Sequence, residues 1–336
     1  MTAFARALMR EIAETGGIGV DDYMRRSNAA YYAQADPLGG AGDFVTAPEI
    51  SQMFGELIGA WIADLWQRAG TPAPVQLVEY GPGRGTLMTD ALRVARRLPG
   101  FAAAAQIVFV ETSPALANLQ RAAVPEATIV AAHDEVPAGV PSIAIANEFF
   151  DALAIEQQVL VDETWKERRI VANGDLLRFD PAGDTIRECS PARGEIAAAI
   201  AARIVDYGGA ALIVDYGYAN GETGDTLQAI RRHEYVDPLA HPGTADLTAH
   251  VDFVALEAAA RRAGARISGP VSQAGFLTSL GIGARAEMLM QRADGTQREA
   301  VATAMRRLTA PDQMGALFKA MALTAPSWPL PAGFPA

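Results

Sequence analysis

The feature that most constrains this chain is a series of short, uninterrupted apolar runs separated by helical stretches: "VQLVEY" (75–80), "IVFVE" (107–111), "ATIVAA" (127–132), "SIAIAN" (142–147) and "ALIVDYG" (211–217). A strand with one face in water alternates apolar and polar residues, whereas a strand covered on both faces is apolar throughout. Such runs between helices predict an α/β fold with a mostly parallel sheet sandwiched by helices. At 336 residues, half of them hydrophobic, the chain is long enough for one elaborated domain or two modest ones.

Additions surround this pattern. Ile50, Met53, Phe54, Leu57, Ile58, Trp61, Ile62, Leu65 and Trp66 repeat at helical spacing, with Thr46 and Glu49 placed as a capping box and Pro48 in the first turn. Between the fourth and fifth runs, residues 157–180 read as short antiparallel strands, and "GEIAAAIAARIVDYG" as a helix returning to the fifth run. Further on, "VDFVALEAAARRAG" reads as a helix with Thr248 as a cap before it, and "ARISGPVSQAGFL" as strand and turn. The organisation expected is a helical extension over 1–70 and a core over 71–336, with an insert at about 157–205 and a helical or extended tail.

The first run leads into "VEYGPGRGT", with Glu79 ahead of Gly81, Gly83 and Gly85. A dinucleotide fingerprint needs glycines at its first, third and sixth positions, but the sixth position from Gly81 is Thr86. A P-loop needs a lysine followed by Ser or Thr, and none stands here. What remains, an acid before Gly-x-Gly-x-Gly at the end of the first strand, resembles the first motif of class I S-adenosylmethionine-dependent methyltransferases: the glycines let the backbone approach a ligand, and the carboxylate repels phosphate and suits a cation. S-adenosylmethionine, with an ammonium, a sulfonium and no phosphate, is such a ligand.

Two more acids stand at successive strand ends: Glu111, where Rossmann-like folds place a carboxylate on the ribose hydroxyls, and Asp134, where the resemblance to methyltransferases implies contact with the adenine amino group. The fourth run ends in "NEFFDALAIEQ", which puts Asn147 and Glu148 at the carboxyl edge of the sheet, with Phe149 and Phe150 walling the site against water. "DYGY" (215–218) faces the same crevice. His250, before a helix, reads as a structural hydrogen-bonding residue.

Five motifs in order, "GDFVTAPEISQMFGELIGAW", "VEYGPGRGTLMTDALR", "ANEFFDALAIEQ", "LIVDYGY" and "HPGTADLTAHVDF", make the chain resemble the MidA-type methyltransferases, the family of the mitochondrial respiratory complex I assembly factor that methylates an arginine. The resemblance runs from about Tyr31 to Ile282. It implies a class I methyltransferase Rossmann-like sheet, mostly parallel with one antiparallel strand, carrying helical N-terminal and β-rich inserted additions. It implies S-adenosyl-L-methionine as cofactor, with Gly42, Asp43, Phe44 and Thr46 near its methionine end. It also implies a partner protein presenting an arginine. Such an acceptor is a planar, always charged fork that a carboxylate must orient. Glu148, with Asn147 beside it, is the candidate; Glu156 is a second carboxylate by analogy with arginine methyltransferases that use two glutamates, and Asp151 competes with it. The strand motifs leave open a small-molecule acceptor, or an assembly protein that keeps the cofactor site without turnover.

Composition narrows the rest. The formal charge of −11 argues against a nucleic-acid grip, and the longest apolar stretch, 50–69, carries Glu56, Asp64 and Arg68, so no membrane span is expected. A single cysteine, Cys189, and four scattered histidines give neither a disulfide nor metal spacing, so no metal is expected. The start could form an amphipathic helix, but Glu11 and Glu14 argue against a transit peptide, and a cytoplasmic location is the expectation.

Overall fold

The computed structural model describes residues 2–33, 46–221 and 224–335; Gly42, Asp43 and Phe44 lie outside the described residues. Seven strands form the main sheet: β1 (Val75–Tyr80), β2 (Ala105–Val110), β3 (Thr128–Val130), β4 (Ser142–Asn147), β5 (Gly209–Tyr218), β6 (Arg266–Ser272) and β7 (Phe318–Thr324). Their spatial order is 3-2-1-4-5-7-6, and a two-residue strand, Val251–Asp252, adds to the end of β5. Strands β1 to β5 pair parallel, while β7 runs antiparallel to both β5 and β6. This is the class I Rossmann-like arrangement. Its order reverses between β1 and β4, which opens a crevice at their carboxyl ends.

The apolar runs are covered on both faces, and β1 and β4 are buried along their whole length. On one face the helices Gln52–Arg68 and Thr86–Ala95 pack Phe54, Trp61 and Leu87 against Leu77, Phe109 and Leu212. On the other, Pro191–Tyr207 and Phe253–Arg262 bring Ile200, Ile204 and Leu256 onto Val78, Ala144 and Ile213. The helix Pro191–Tyr207 therefore belongs to the layer covering the sheet.

A third cluster joins the helices Ala3–Thr15 and Val20–Tyr32 to the added strands through Leu8, Ile12, Tyr23, Ile170 and Leu247. Those strands make three small antiparallel sheets: Glu156–Val161 with Thr164–Glu167 and Ile186–Cys189; Arg169–Asn173 with Leu176–Asp180 and Ile18–Gly19; and Gln228–Arg231 with Glu234–Val236 and Asp246–Thr248.

Local structure differs from the sequence reading at three places. Ser51 is extended (φ −165°, ψ 140°), so a short helix Ala47–Ile50 precedes the long one, which Ser51 caps through the Met53 N–H (3.2 Å). The Thr46–Glu49 capping box does not form: the break turns Glu49 toward the glycine turn, where its Oε1 accepts from Thr86 Oγ1 (2.5 Å). Thr248 ends a strand, and the cap of Phe253–Arg262 is Asp252, whose carboxylate accepts from Val254 N (2.9 Å) and Ala255 N (3.1 Å). After β6 the chain enters a helix, Gln273–Ser279, where a turn was expected, because the Ser272 hydroxyl accepts from Gly275 N and caps it.

Helix Gln52–Arg68 sits close to Thr86–Ala95 because Gly59 faces it: a Cβ there would lie 2.3 Å from the Ala91 carbonyl oxygen and 2.7 Å from its Cα. Gly59→Ala should destabilise the protein by about 1–3 kcal/mol, read as a lower urea midpoint at unchanged slope. Gly283, inside helix Ile282–Met290 with open space beside it, is the contrast. Gly283→Ala should stabilise by about 0.5–1 kcal/mol.

Candidate active site

The crevice at the carboxyl ends of β1, β2, β4 and β5 is a cavity of about 990 Å³. Its inner wall begins at the glycine turn. Gly81, Gly83 and Gly85 have φ of 61°, 56° and 82°, a left-handed backbone that suits glycine. A Cβ on Gly81 would press on the Phe149 ring at 3.1 Å. The turn is held by Gly81 N to Val110 O (3.0 Å) and Gly85 N to Pro82 O (2.8 Å), and it feeds the helix Thr86–Ala95.

Beneath the turn, Glu79 is 3% exposed, yet it lines the cavity, and among the described residues its Oε2 has no hydrogen-bond partner. Burial pushes its carboxyl up to about 8. An unpartnered buried acid beside a cavity is matched by a cationic ligand. Glu111 follows β2 and also lines the cavity. Its oxygens accept from Ser113 N (2.7 Å) and Gln120 Nε2 (2.9 Å), and the same Gln120 amide reaches Gly83 O (2.8 Å). Burial raises the Glu111 carboxyl, against the pull of those donors.

Asp134 is exposed and does not line the cavity; its neighbour His133 does. The His133 ring stacks on Tyr80 with centroids 5.9 Å apart, and its Nδ1 meets the Tyr80 hydroxyl at 2.7 Å. The short 3₁₀ turn His133–Glu135 points one side chain inward and the next out.

At the end of β4, Asn147 and Glu148 both line the cavity. Glu148 has φ 48°, an uncommon backbone for a residue with a Cβ. Its Oε1 accepts from Ala47 N (2.9 Å) and Asn147 Nδ2 (3.2 Å); among the described residues its Oε2 accepts nothing. The turn that follows is fastened by Asp215 of β5, fully buried, whose Oδ2 accepts from the N–H groups of Phe149 (3.2 Å), Phe150 (3.0 Å) and Asp151 (3.2 Å). That turn brings Asp151 to the cavity, 6% exposed, with Oδ1 unpartnered.

Burial, then the Asp151 charge, lifts the Glu148 carboxyl to about 7 against the Ala47 and Asn147 donors. Burial also lifts Asp151, opposed by the Tyr216 hydroxyl and the Arg193 guanidinium.

Glu156 is not part of this group. It lies exposed on the strand Glu156–Val161, across from Cys189, and does not line the cavity. The chain reverses after Asp151 and enters the added strands, so the nearer carboxylate reaches the site and the farther one leaves it. Thr46 lines the cavity, and Phe149 walls it while Phe150 sits in the core.

The "DYGY" and "HPGTADLTAHVDF" motifs supply Tyr216, Asp246 and Thr248 to the lining; Asn28 and Tyr32 from an N-terminal helix, Gln228 from an added sheet and Arg307 from the helix Gly295–Thr309 line it without any motif. Among the described residues no helix is long and apolar enough to cross a membrane.

Known proteins share this architecture. The family model for S-adenosyl-L-methionine-dependent methyltransferases matches residues 57–186 and 173–271. The Drosophila melanogaster protein arginine methyltransferase NDUFAF7 homolog, mitochondrial, is 37% identical over 372 residues, covering 96% of this chain and 84% of the relative. The Homo sapiens protein arginine methyltransferase NDUFAF7, mitochondrial, is 35% identical over 373 residues, with 96% and 83% covered. A Burkholderia thailandensis crystal structure bound to S-adenosyl-homocysteine superposes with a TM-score of 0.82 at 25% identity, covering 98% of this chain and 94% of that one.

The "mitochondrial" in these relatives' names overturns the expectation of a cytoplasmic protein. That expectation rests on Glu11 and Glu14 in the first segment, which the structure shows as the helix Ala3–Thr15 with Leu8 and Ile12 in the core. With its cofactor site, its sheet order and relatives along nearly its whole length, the chain belongs to the class I S-adenosyl-L-methionine-dependent methyltransferases of the MidA and NDUFAF7 type.

Proposed function

We propose that this protein methylates a guanidinium nitrogen of an arginine on a partner protein, of the respiratory complex I subunit type by family likeness. The observation that carries the reading is the pair of carboxylates at the β4 exit. Glu148 has one oxygen pinned and one free among the described residues, and Asp151 has a buried oxygen without a partner. Two acids side by side suit a planar fork with several N–H donors. The relatives named as protein arginine methyltransferases support the same chemistry. An open cavity lined by carboxylates favours a protein side chain over a small apolar acceptor.

S-adenosyl-L-methionine supplies an electrophilic methyl group on a sulfonium. Toward it we assign the Gly81, Gly83 and Gly85 turn, the buried Glu79 carboxylate, Glu111 for the ribose hydroxyls, and Thr46 and Asn147 near the methionine end, with Gly42 and Asp43 outside the described residues. The role considered for Asp134 passes to His133, which faces the cavity. On the acceptor side, Glu148 and Asp151 hold the guanidinium and leave one nitrogen free to attack. Transfer to a cationic guanidinium releases one proton, and a carboxyl near 7 is matched to take it at neutral pH. Glu148 must be ionised for both tasks.

Glu79 gives the first test. Its carboxyl binds a proton more tightly in the folded chain (about 8) than unfolded (near 4.5), so stability declines as pH rises through that window and the full cost stands above it. Ligand-free Glu79→Gln should therefore be more stable than the parent at pH 8.5, by on the order of a few kcal/mol, with the gain vanishing near pH 4. In calorimetric titration it should bind S-adenosylhomocysteine at least about tenfold more weakly. Parent-like binding would mean that Glu79 receives no cation.

Glu148 gives the second. In the parent, kcat/KM should rise with pH and level off above about 7. Glu148→Gln should lower kcat on a purified protein acceptor by roughly a hundredfold or more while leaving S-adenosylhomocysteine affinity nearly unchanged. A variant that turns over like the parent removes Glu148 from the mechanism.

A further inference from the structure

The charges around the cavity are sorted by depth. Among the described residues its six carboxylates, Glu49, Glu79, Glu111, Glu148, Asp151 and Asp246, are all buried or half-buried, and the half-buried Arg84 pairs with Glu49 (3.7 Å). The exposed basic side chains on its wall, among the described residues, are Arg25, Arg307 and His233, from three separate elements. Arg25 comes from the helix Val20–Tyr32 and is paired with Asp22. Arg307 comes from the helix Gly295–Thr309 and forms no ion pair among the described residues. His233 sits in the hairpin turn between Gln228–Arg231 and Glu234–Val236, where Arg232 and His233 both have positive φ (55° and 63°). Two exposed arginines, with the His233 imidazole as a third basic side chain, thus share the wall with buried carboxylates, in a chain whose net charge is −11.

Building on the arginine reading, we propose that the acceptor is a protein segment whose target arginine is flanked by acidic residues. The guanidinium passes to the buried carboxylates, where Glu148 and the unpartnered oxygen of Asp151 receive it. The flanking residues stay opposite the exposed Arg25, Arg307 and His233. Aspartate or glutamate there completes the charge pattern, whereas a run of arginines or lysines meets like charge. Exclusion of multiply basic segments is as much a part of specificity as attraction of acidic ones. Exposed Tyr235, on the same hairpin as His233, and Leu317 add apolar contact area to this wall.

The test uses two synthetic peptides, identical except that the residues flanking a central arginine are aspartates in one and lysines in the other. Anisotropy on the S-adenosylhomocysteine-bound enzyme reads binding, and methyl transfer reads turnover. The aspartate peptide should bind at least about tenfold tighter at low ionic strength, with the gap narrowing as salt is added. Arg307→Glu should narrow or reverse the gap, and Arg307→Lys should keep it.

Equal affinities, a lysine preference or no binding of either peptide overturns the proposal. So does a gap untouched by Arg25→Glu and Arg307→Glu together in protein shown to be folded by its thermal transition. Preferential binding of the aspartate peptide without any methylation strikes the arginine reading instead and leaves the preference for acidic flanks standing, and the salt dependence of the parent serves if a variant fails to fold.

Discussion

The site depends on one carboxylate that touches neither ligand. Asp215, at the inner end of the "DYG" of β5, collects the N–H groups of three consecutive residues after β4 and bonds its own neighbour, Tyr216 N, at 3.0 Å. Three N–H groups converge on one oxygen because the chain turns tightly there, starting from Glu148 in a left-handed conformation that costs roughly 1–2 kcal/mol for a residue with a Cβ. Three hydrogen bonds, worth about 0.5–1.5 kcal/mol each, offset that cost. The clamp acts together with backbone bonds from Glu148 N to Val214 O (2.9 Å) and from Ala249 N to Asp151 O (3.1 Å) to keep Glu148 and Asp151 facing the same cavity.

The clamp brings carboxylates together, which sets the electrostatics. Burial raises the proton affinity of Asp215, Asp151 and Glu148; the Asp151 charge adds to that of Glu148, both add to that of Asp215, and Arg193 is the buried cation among them. Its guanidinium is spent on the carbonyls of Asp151, Ala249 and His250, so it stitches loops together and leaves the side-chain oxygens of Asp151 and Glu148 for something else. Across the crevice Glu79 is in the same position without any cation. The ligand-free site is therefore under-compensated at two points among the described residues, and in the proposed reading each is matched by a positive group: the methionine end of the cofactor and the acceptor's guanidinium. Such sites trade stability for binding, because the charge that destabilises the empty protein is neutralised when the ligand arrives.

What the sequence made legible follows from how local each signal is. Uninterrupted apolar runs report burial on both faces, and β1, β4 and β5 fall on them. Glycines at alternate positions report positive φ, and all three have it. Signals that depend on where the chain goes next were weaker. Thr46 and Glu49 have the spacing of a capping box, but Ser51 breaks the helix and Glu49 bonds Thr86. Glu156 has the chemistry of a second acceptor carboxylate, but a strand carries it away while the Asp215 turn holds Asp151 in. Arg307 and Asn28 are brought in by packing between distant elements, which leaves no periodicity to read.

The additions around the sheet are sewn to it by polar side chains. The Asn28 carboxamide donates to Leu247 O (2.7 Å) and Ala152 O (3.1 Å) and accepts from Leu247 N (3.0 Å), joining an N-terminal helix to the added sheet and to the turn after Asp151. Four residues on, the Tyr32 hydroxyl bonds Asp246 Oδ1 (2.8 Å), and the Tyr32 carbonyl accepts from Ser113 Oγ (2.7 Å), two residues past Glu111. One helix thus bonds both the segment after Glu111 and the turn after Asp151, on two sides of the same cavity. In the proposed reading these are the cofactor end and the acceptor end, which makes the N-terminal helix a wall shared by two substrates, with the β4 exit and its two acids between them.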